Sequence, residues 1–237
     1  MGCQSARKGL SLRIADSVEQ LGFAIIEETL SPSETDCLLA EFANYPFTRS
    51  RAGIRHAMSH PSVATIARDP RLLSLASEVL GSQALPYRAT LFDKSPSSNW
   101  LVVWHQDTAL PLKAPKSVGG WGPWSVKEGV NYAHAPATAL NEVLALRLHL
   151  DDSTSMNGPL RVLPRTHTRG VLTDDEIQSW VTRTEPTDCT VSRGGILAMR
   201  PLIIHSSSKA RVEMPRRVLH IEYAASSRFG ELELALA

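Results

Sequence analysis

Two apolar stretches of this chain end in side chains that bind metals. Residues 100–107 read Trp-Leu-Val-Val-Trp-His-Gln-Asp, an aromatic and β-branched run that stops at a polar triplet. In an extended strand the side chains of His105 and Asp107 point the same way, one imidazole beside one carboxylate at the rim of a sheet. Those are two of the three ligands of a 2-His-1-carboxylate iron site. A second apolar run, Leu202-Ile203-Ile204-His205, ends in the histidine that would complete the set. Arg216 follows it eleven residues later.

H-x-D is a weak signal in a chain with eight histidines, and His149-Leu150-Asp151 fits it as well. Spacing leaves both open, since His205 could close either set. Local pattern favours His105 and Asp107. In residues 144–152, Leu146, Leu148 and Leu150 fill one face of a strand while Arg147, His149 and Asp151 share the other, followed by a turn at Asn157-Gly158. His149 and Asp151 are then expected as inward polar neighbours that support a site and do not ligate. Taken alone, His205 reads as a buried structural histidine. Beside an upstream H-x-D and a downstream arginine it reads as a ligand.

The elements that must position these groups follow from local signals. Apolar residues between Leu10 and Leu21 suit one helical face, with Gly22 as its stop and Phe23-Ala24-Ile25-Ile26 as a short buried strand. Ser31-Pro32-Ser33-Glu34 is a capping box that starts a helix through Cys37, Leu38, Leu39 and Phe42. Asp69-Pro70 starts another, ending at Gly81. Residues 48–60 hold Arg49, Arg51, Arg55, His56 and His60 and read first as a solvated loop.

Past Pro86 the composition changes. Strands are expected over 87–93, 100–107, 143–151, 159–163, 189–191, 196–199, 202–205 and 218–223, many separated by turn signals. One helix interrupts them, capped by Thr173 with Glu176 and running to about Arg183. Helices first and strands afterwards predict a mainly β chain, a jelly roll backed by helices. One domain is expected over 1–237, with a helical layer to 85, a jelly-roll core over 86–224 and a tail. Residues 108–141 are long, rich in Gly and Pro, and hold Trp121, Trp124 and Tyr132. They suit a lid over a substrate, or a loop that packs its aromatics on the sandwich.

A formal charge of +1 on 237 residues gives no reason to expect nucleic acid or an acidic membrane as partner. Three scattered cysteines, Cys3, Cys37 and Cys189, fit a reducing interior, each read as a small buried hydrophobe. No apolar run has membrane length, and Met1-Gly2-Cys3 fails the acylation pattern at Ala6. A cytoplasmic protein is expected. No GxGxxG or P-loop follows any strand, which argues against a nucleotide fold.

The stretches Trp104-His105-Gln106-Asp107, Leu150-Asp151-Asp152-Ser153-Thr154 through Asn157-Gly158-Pro159-Leu160-Arg161-Val162-Leu163-Pro164 to Thr166-His167, Pro201 to Ser207, and Arg216 to Tyr223 resemble the phytanoyl-CoA dioxygenase family. The resemblance runs from about Ser11 to Tyr223. It implies a double-stranded β-helix (jelly-roll, cupin-like) fold and an Fe(II)- and 2-oxoglutarate-dependent dioxygenase. By matching positions, His105, Asp107 and His205 would bind iron, and Arg216 the far carboxylate of 2-oxoglutarate. Thr90 and Arg147 match positions lining the cosubstrate site. Arg165 departs from the pattern, standing where the family usually has glycine.

The implied reaction uses O2 to hydroxylate a C–H bond of a small molecule, with release of succinate and CO2. No catalytic residue beyond the metal site is implied. Because Asp107 is present, hydroxylation is favoured over halogenation. Two other classes stand beside this one: a jelly-roll metalloenzyme of isomerase or hydrolase type, and a non-catalytic binding module. Arg216 argues against the first, which needs no carboxylate clamp, and an intact triad argues against the second.

Overall fold

The computed structural model describes residues 13–44, 53–95 and 98–236. The acylation-like start, Cys3, Arg49 and Arg51 lie outside the described residues. Helices come first: α1 (Ile14–Leu21), α2 (Pro32–Ala43), α3 (Pro61–Ile66) and α4 (Pro70–Leu80), with strand β1 (Phe23–Ile26) after α1. The strands then run β2 (Leu85–Lys94), β3 (Val102–His105), β4 (Ala109–Leu112), β5 (Trp124–Lys127), β6 (Val130–His134), β7 (Val143–His149), β8 (Leu160–Val162), β9 (Thr187–Cys189), β10 (Ile196–Met199), β11 (His205–Ser207) and β12 (Arg216–Ala224). Two further helices, α5 (Ala137–Leu140) and α6 (Asp174–Arg183), interrupt them.

Local chemistry accounts for the helix ends. Ser31 and Glu34 close a capping box on α2, and Thr173 and Glu176 do the same on α6. Asp69 caps α4 by accepting from the Arg71 N–H at 2.8 Å. α1 ends at Gly22, whose φ of 88° is left-handed. A Cβ there would also lie 2.6 Å from the His167 ring, so only glycine fits this turn. Helix α3 was not anticipated from the sequence. Its cap is His60, whose Nδ1 accepts from the Ser62 N–H at 3.1 Å.

Two antiparallel sheets face each other as a jelly roll. The larger has strand order β1-β10-β7-β12-β2 and the smaller β3-β11-β8-β9. Every residue of β7 is buried, as in a strand covered on both faces. Its outer residues Leu144, Leu146 and Leu148 join Leu219, Ile221 and Tyr223 of β12 against α4 and its neighbours. Its inner face carries Arg147 and His149 toward the second sheet. Between the sheets, Phe23, Leu160, Val162, Leu197, Met199 and Ile203 form a separate apolar cluster.

Four expectations need correction. Residues 108–141 are not one long loop: β4, β6 and β5 form a three-stranded antiparallel sheet, followed by α5. The strand expected over 202–205 begins only at His205 and runs to Ser207. Ile203 N–H bonds to the Arg200 carbonyl in a turn, so the apolar run before His205 is buried without being extended. Cys37 is exposed on α2, while Cys189 is buried; neither forms a disulfide. Beyond β12, Leu232 and Leu234 are buried against Leu110 and Leu112, so the expected tail contributes to a core.

Candidate metal and anion site

His105 is the last residue of β3 and His205 the first of β11, and the antiparallel register sets them opposite each other. Their ring centroids are 4.2 Å apart. Asp107 lies two residues past β3, held by its N–H bond to the Pro201 carbonyl at 3.0 Å. Between them Gln106 turns the other way and acts as a staple. Its Nε2 donates to the carbonyls of Gly170 (2.9 Å) and Leu202 (2.7 Å), and its Oε1 accepts from Leu172 N–H (2.8 Å). Asp107 Oδ1 is 3.6 Å from His105 Nε2, and Oδ2 is 3.5 Å from His205 Nε2. One donor atom from each residue lies within 4.8 Å of the other two, close enough to share one ion.

Both imidazoles are held in the tautomer a metal needs. His105 Nδ1–H donates to the Val103 carbonyl at 2.8 Å, and His205 Nδ1–H donates to the Ile203 carbonyl at 2.9 Å. Each Nε2 is thereby left with its lone pair facing Asp107. Burial pushes the His205 imidazole down to about 4, against the opposing pull of Asp107. Burial alone would raise Asp107, but His205 and His105 outweigh it and hold the carboxyl well below the usual range. At His105 burial is outweighed by Asp107, which raises that imidazole, so a metal binding between the two neutral imidazoles and the carboxylate displaces a proton there.

Beside this triad lies a cluster of buried cations. Arg216 is 3% exposed; its Nη2 donates to Ser207 Oγ at 3.3 Å, and its Nε and Nη1 have no partner among the described residues. Arg147 donates from Nη1 to His220 Nδ1 at 3.0 Å, lies over the Phe92 ring, and leaves its Nε unpartnered. Lys94 pairs with Arg216 in the β2–β12 register, and its Nζ donates to Ser207 Oγ (2.9 Å) and the Ser208 carbonyl (2.6 Å). No carboxylate among the described residues pairs with any of the three. Burial, then Arg216 and Arg147, push Lys94 down to about 7. Buried charge without a counter-charge is costly, and an anion entering from outside would offset that cost.

Triad and arginines open into one cavity of about 430 Å³, lined also by Thr90, Phe92, Tyr132, His134, His220 and Glu222. Thr90 faces it because β2 sets Thr90 opposite His220 of β12. The structure separates the alternative H-x-D pair. His149 is buried between the sheets with both ring nitrogens unpartnered among the described residues. Asp151 is not its inward neighbour, because β7 stops at His149 and the alternation stops with it. Instead Asp151 accepts from Arg217 at Nε (2.7 Å), Nη2 (2.6 Å) and the backbone N–H (2.9 Å).

Sequence reasoning missed several lining groups. Lys94 carries no motif; only its register partner gives it meaning. Glu222 is buried and accepts from Tyr87 Oη at 3.1 Å and from the Arg88 guanidinium. The period-two alternation from Arg216 through Val218 and His220 to Glu222 was the available signal for it. The solvated-loop reading of residues 48–60 needs revising at its end. Arg55 lines the cavity mouth and pairs with Glu128 at 3.1 Å, while His56 lies 3.7 Å from the same carboxylate. Trp121 and Trp124 pack beside Phe229 and Leu232 in the second core and do not line the cavity.

Among curated proteins, the chain is 26% identical to an ectoine dioxygenase of Bordetella bronchiseptica over 177 residues, covering 67% of this chain and 50% of the relative. It is 27% identical to an L-proline trans-4-hydroxylase of Streptomyces griseoviridis over 186 residues, covering 68% and 62%. The chain thus spans about half the length of the ectoine dioxygenase it matches. Among solved structures, apo EctD from S. alaskensis superposes with a TM-score of 0.70 at 17% identity, covering 100% of this chain and 90% of that one. The epimerase SnoN from nogalamycin biosynthesis superposes at 0.65 and 18% identity, covering 91% and 82%. These likenesses concern the fold. Residues 18–218 match the phytanoyl-CoA dioxygenase (PhyH) family, and the chain belongs to that family.

Proposed function

We propose that this chain is an Fe(II)- and 2-oxoglutarate-dependent oxygenase that hydroxylates a C–H bond of a small molecule. The observation that carries this reading is the juxtaposition in one cavity of the His105, Asp107 and His205 donors with buried, carboxylate-free Arg216 and Arg147. Iron would be held by the two Nε2 atoms and the Asp107 carboxylate on one face, leaving its other positions toward the cavity. The unpartnered Nε and Nη1 of Arg216 are a planar fork suited to one carboxylate of a dicarboxylic acid. Thr90 and Arg147, on neighbouring strands, would line the same cosubstrate. Bound together, iron, 2-oxoglutarate and O2 would supply the oxidation of the C–H bond, with succinate and CO2 as the other products.

The chain's own residues do the rest. Val103 and Ile203 carbonyls keep both imidazoles in the ligand tautomer, Gln106 fixes the strand end, and Ser207 Oγ accepts from both Arg216 and Lys94. An isomerase or hydrolase using the same ligands would have no use for a carboxylate clamp, which favours the oxygenase. An intact donor set and an unsatisfied cation cluster weigh against a binding module. The small-molecule substrate is supported by the ectoine and proline named for the curated relatives. It is also supported by a cavity at the low end of the roughly 300–1,000 Å³ usual for ligand sites, part of which the cosubstrate must fill. We read the chain as one oxygenase domain acting in the cytoplasm. Free Cys37 and Cys189 support a reducing compartment, and among the described residues no helix is long and apolar enough to cross a membrane.

The test is turnover of 2-oxoglutarate to succinate by protein loaded anaerobically with Fe(II) and then given oxygen. Succinate formation that stops with a chelator supports the reading. Protein that binds neither iron nor 2-oxoglutarate would overturn it.

A further inference from the structure

With the triad and the inner arginines assigned to iron and 2-oxoglutarate, the outer part of the cavity remains, and its charge is unbalanced. Its cations are Arg55, Arg88 and Lys127. Arg88 is matched by Glu222, and Arg55 by Glu128. Lys127 pairs with no carboxylate among the described residues. Its Nζ lies 5.0 Å from the centre of the Tyr132 ring, over which Arg88 also sits at 5.4 Å. Partial burial and the nearby charges of Arg88 and Arg55 press on its ammonium group and lower its affinity for a proton, against a weaker pull from Asp107.

Backbone geometry explains why the lysine is there. Lys127 ends β5 at the tip of the β5–β6 hairpin, where Glu128 and Gly129 both take the positive φ of the two-residue turn. The next residue, Glu128, reaches across to Arg55 and His56, which ties the hairpin tip to the preceding segment over the cavity mouth. Tyr132 is 2% exposed, so the ring beneath Lys127 is a fixed wall. Lys127 is exposed at the hairpin tip, with its charge over that ring face and in the lining of the cavity.

Resting on the oxygenase reading, we propose that the substrate is a small acid whose carboxylate is bound by Lys127 above the Tyr132 ring at the outer end of the cavity. Such an anion would relieve the repulsion among Lys127, Arg88 and Arg55. A cationic group would meet no free carboxylate there, because Glu222 and Glu128 are already taken.

The experiment is calorimetric binding to the anaerobic Fe(II)–2-oxoglutarate complex of a panel of amino, hydroxy and cyclic acids, each paired with its primary amide. Acids that bind are expected to do so about tenfold or more tightly than their amides, a preference that weakens with salt. Lys127→Gln should bring acid and amide to the same affinity, and Lys127→Arg should keep most of the preference. Both variants should bind 2-oxoglutarate as the unaltered protein does. The proposal is overturned if no acid binds better than its amide, or if Lys127→Gln keeps the preference. Failure of the unaltered protein to bind 2-oxoglutarate would instead remove the oxygenase reading beneath it.

Discussion

Replacing Arg216 with methionine separates a residue that serves the fold from one that serves a ligand. In the free protein the guanidinium is buried, makes one long hydrogen bond to Ser207, and leaves two nitrogens unpartnered among the described residues. Such a group opposes folding, so an apolar side chain of similar length should leave stability unchanged or raise it. Binding should behave in the opposite way. Truncating one partner of a buried charge pair costs about 2–5 kcal/mol, much of it from leaving the other charge alone. At about 1.4 kcal/mol per factor of ten, the 2-oxoglutarate dissociation constant should rise roughly 30-fold to several thousand-fold. Arg217→Met is the control on the neighbouring residue. Its pair with Asp151 is partly solvated, so the loss is a stability cost of about 1 kcal/mol, with cosubstrate affinity unchanged. Anaerobic calorimetry and chemical denaturation on both variants read the two quantities. Unaltered 2-oxoglutarate affinity in Arg216→Met, or a larger loss in Arg217→Met, would refute the assignment.

Other perturbations probe the surroundings. Burial, then Arg147 and Arg216, hold His149 well below its usual value of 6.5, so the unfolded chain takes up a proton there that the folded chain refuses. Stability of metal-free protein should therefore fall as pH drops below about 6.5, and His149→Leu should flatten that slope in denaturation curves without reducing iron binding. Gly158 has a φ of 70°, and a Cβ there would lie 2.3 Å from the Ser208 carbonyl that holds Lys94. Gly158→Ala should cost about 2 kcal/mol or more and weaken 2-oxoglutarate binding in the same titration. Trp121→Ala and Trp124→Ala should each cost about 1–3 kcal/mol, less than a fully buried tryptophan, while succinate and product still form in equal amounts. Consumption of 2-oxoglutarate without product in either variant would return those side chains to the cavity.

Much of the site was legible because its information is local. The apolar run ending in His105 and Asp107 is visible within eight residues, although β3 stops at His105 and the bond from the Asp107 N–H to the Pro201 carbonyl, rather than the strand period, holds the carboxylate. Both capping boxes are complete within four residues. What was not legible depends on partners distant in sequence. Lys94 joins the anion cluster through its pairing with Arg216, and Arg217 takes Asp151 away from the interior. Strands β4, β5 and β6 are four to five residues each, interrupted by Gly and Pro, too short for a periodic signal to separate them from a loop. Arg165 adopts a φ of 69°, a conformation that favours glycine, and its N–H bonds to the Leu21 carbonyl at 2.8 Å. The arginine thus occupies the turn without altering the ligand set.

The proposed oxygenase chemistry requires that His105, Asp107 and His205 hold one iron beside 2-oxoglutarate. Metal content and succinate formation, measured together on folded His205→Ala and His149→Ala proteins reconstituted with Fe(II), test it most directly. His205→Ala is expected to lose iron and turnover while His149→Ala retains both. Full iron and full turnover in His205→Ala, or their loss only in His149→Ala, would contradict it.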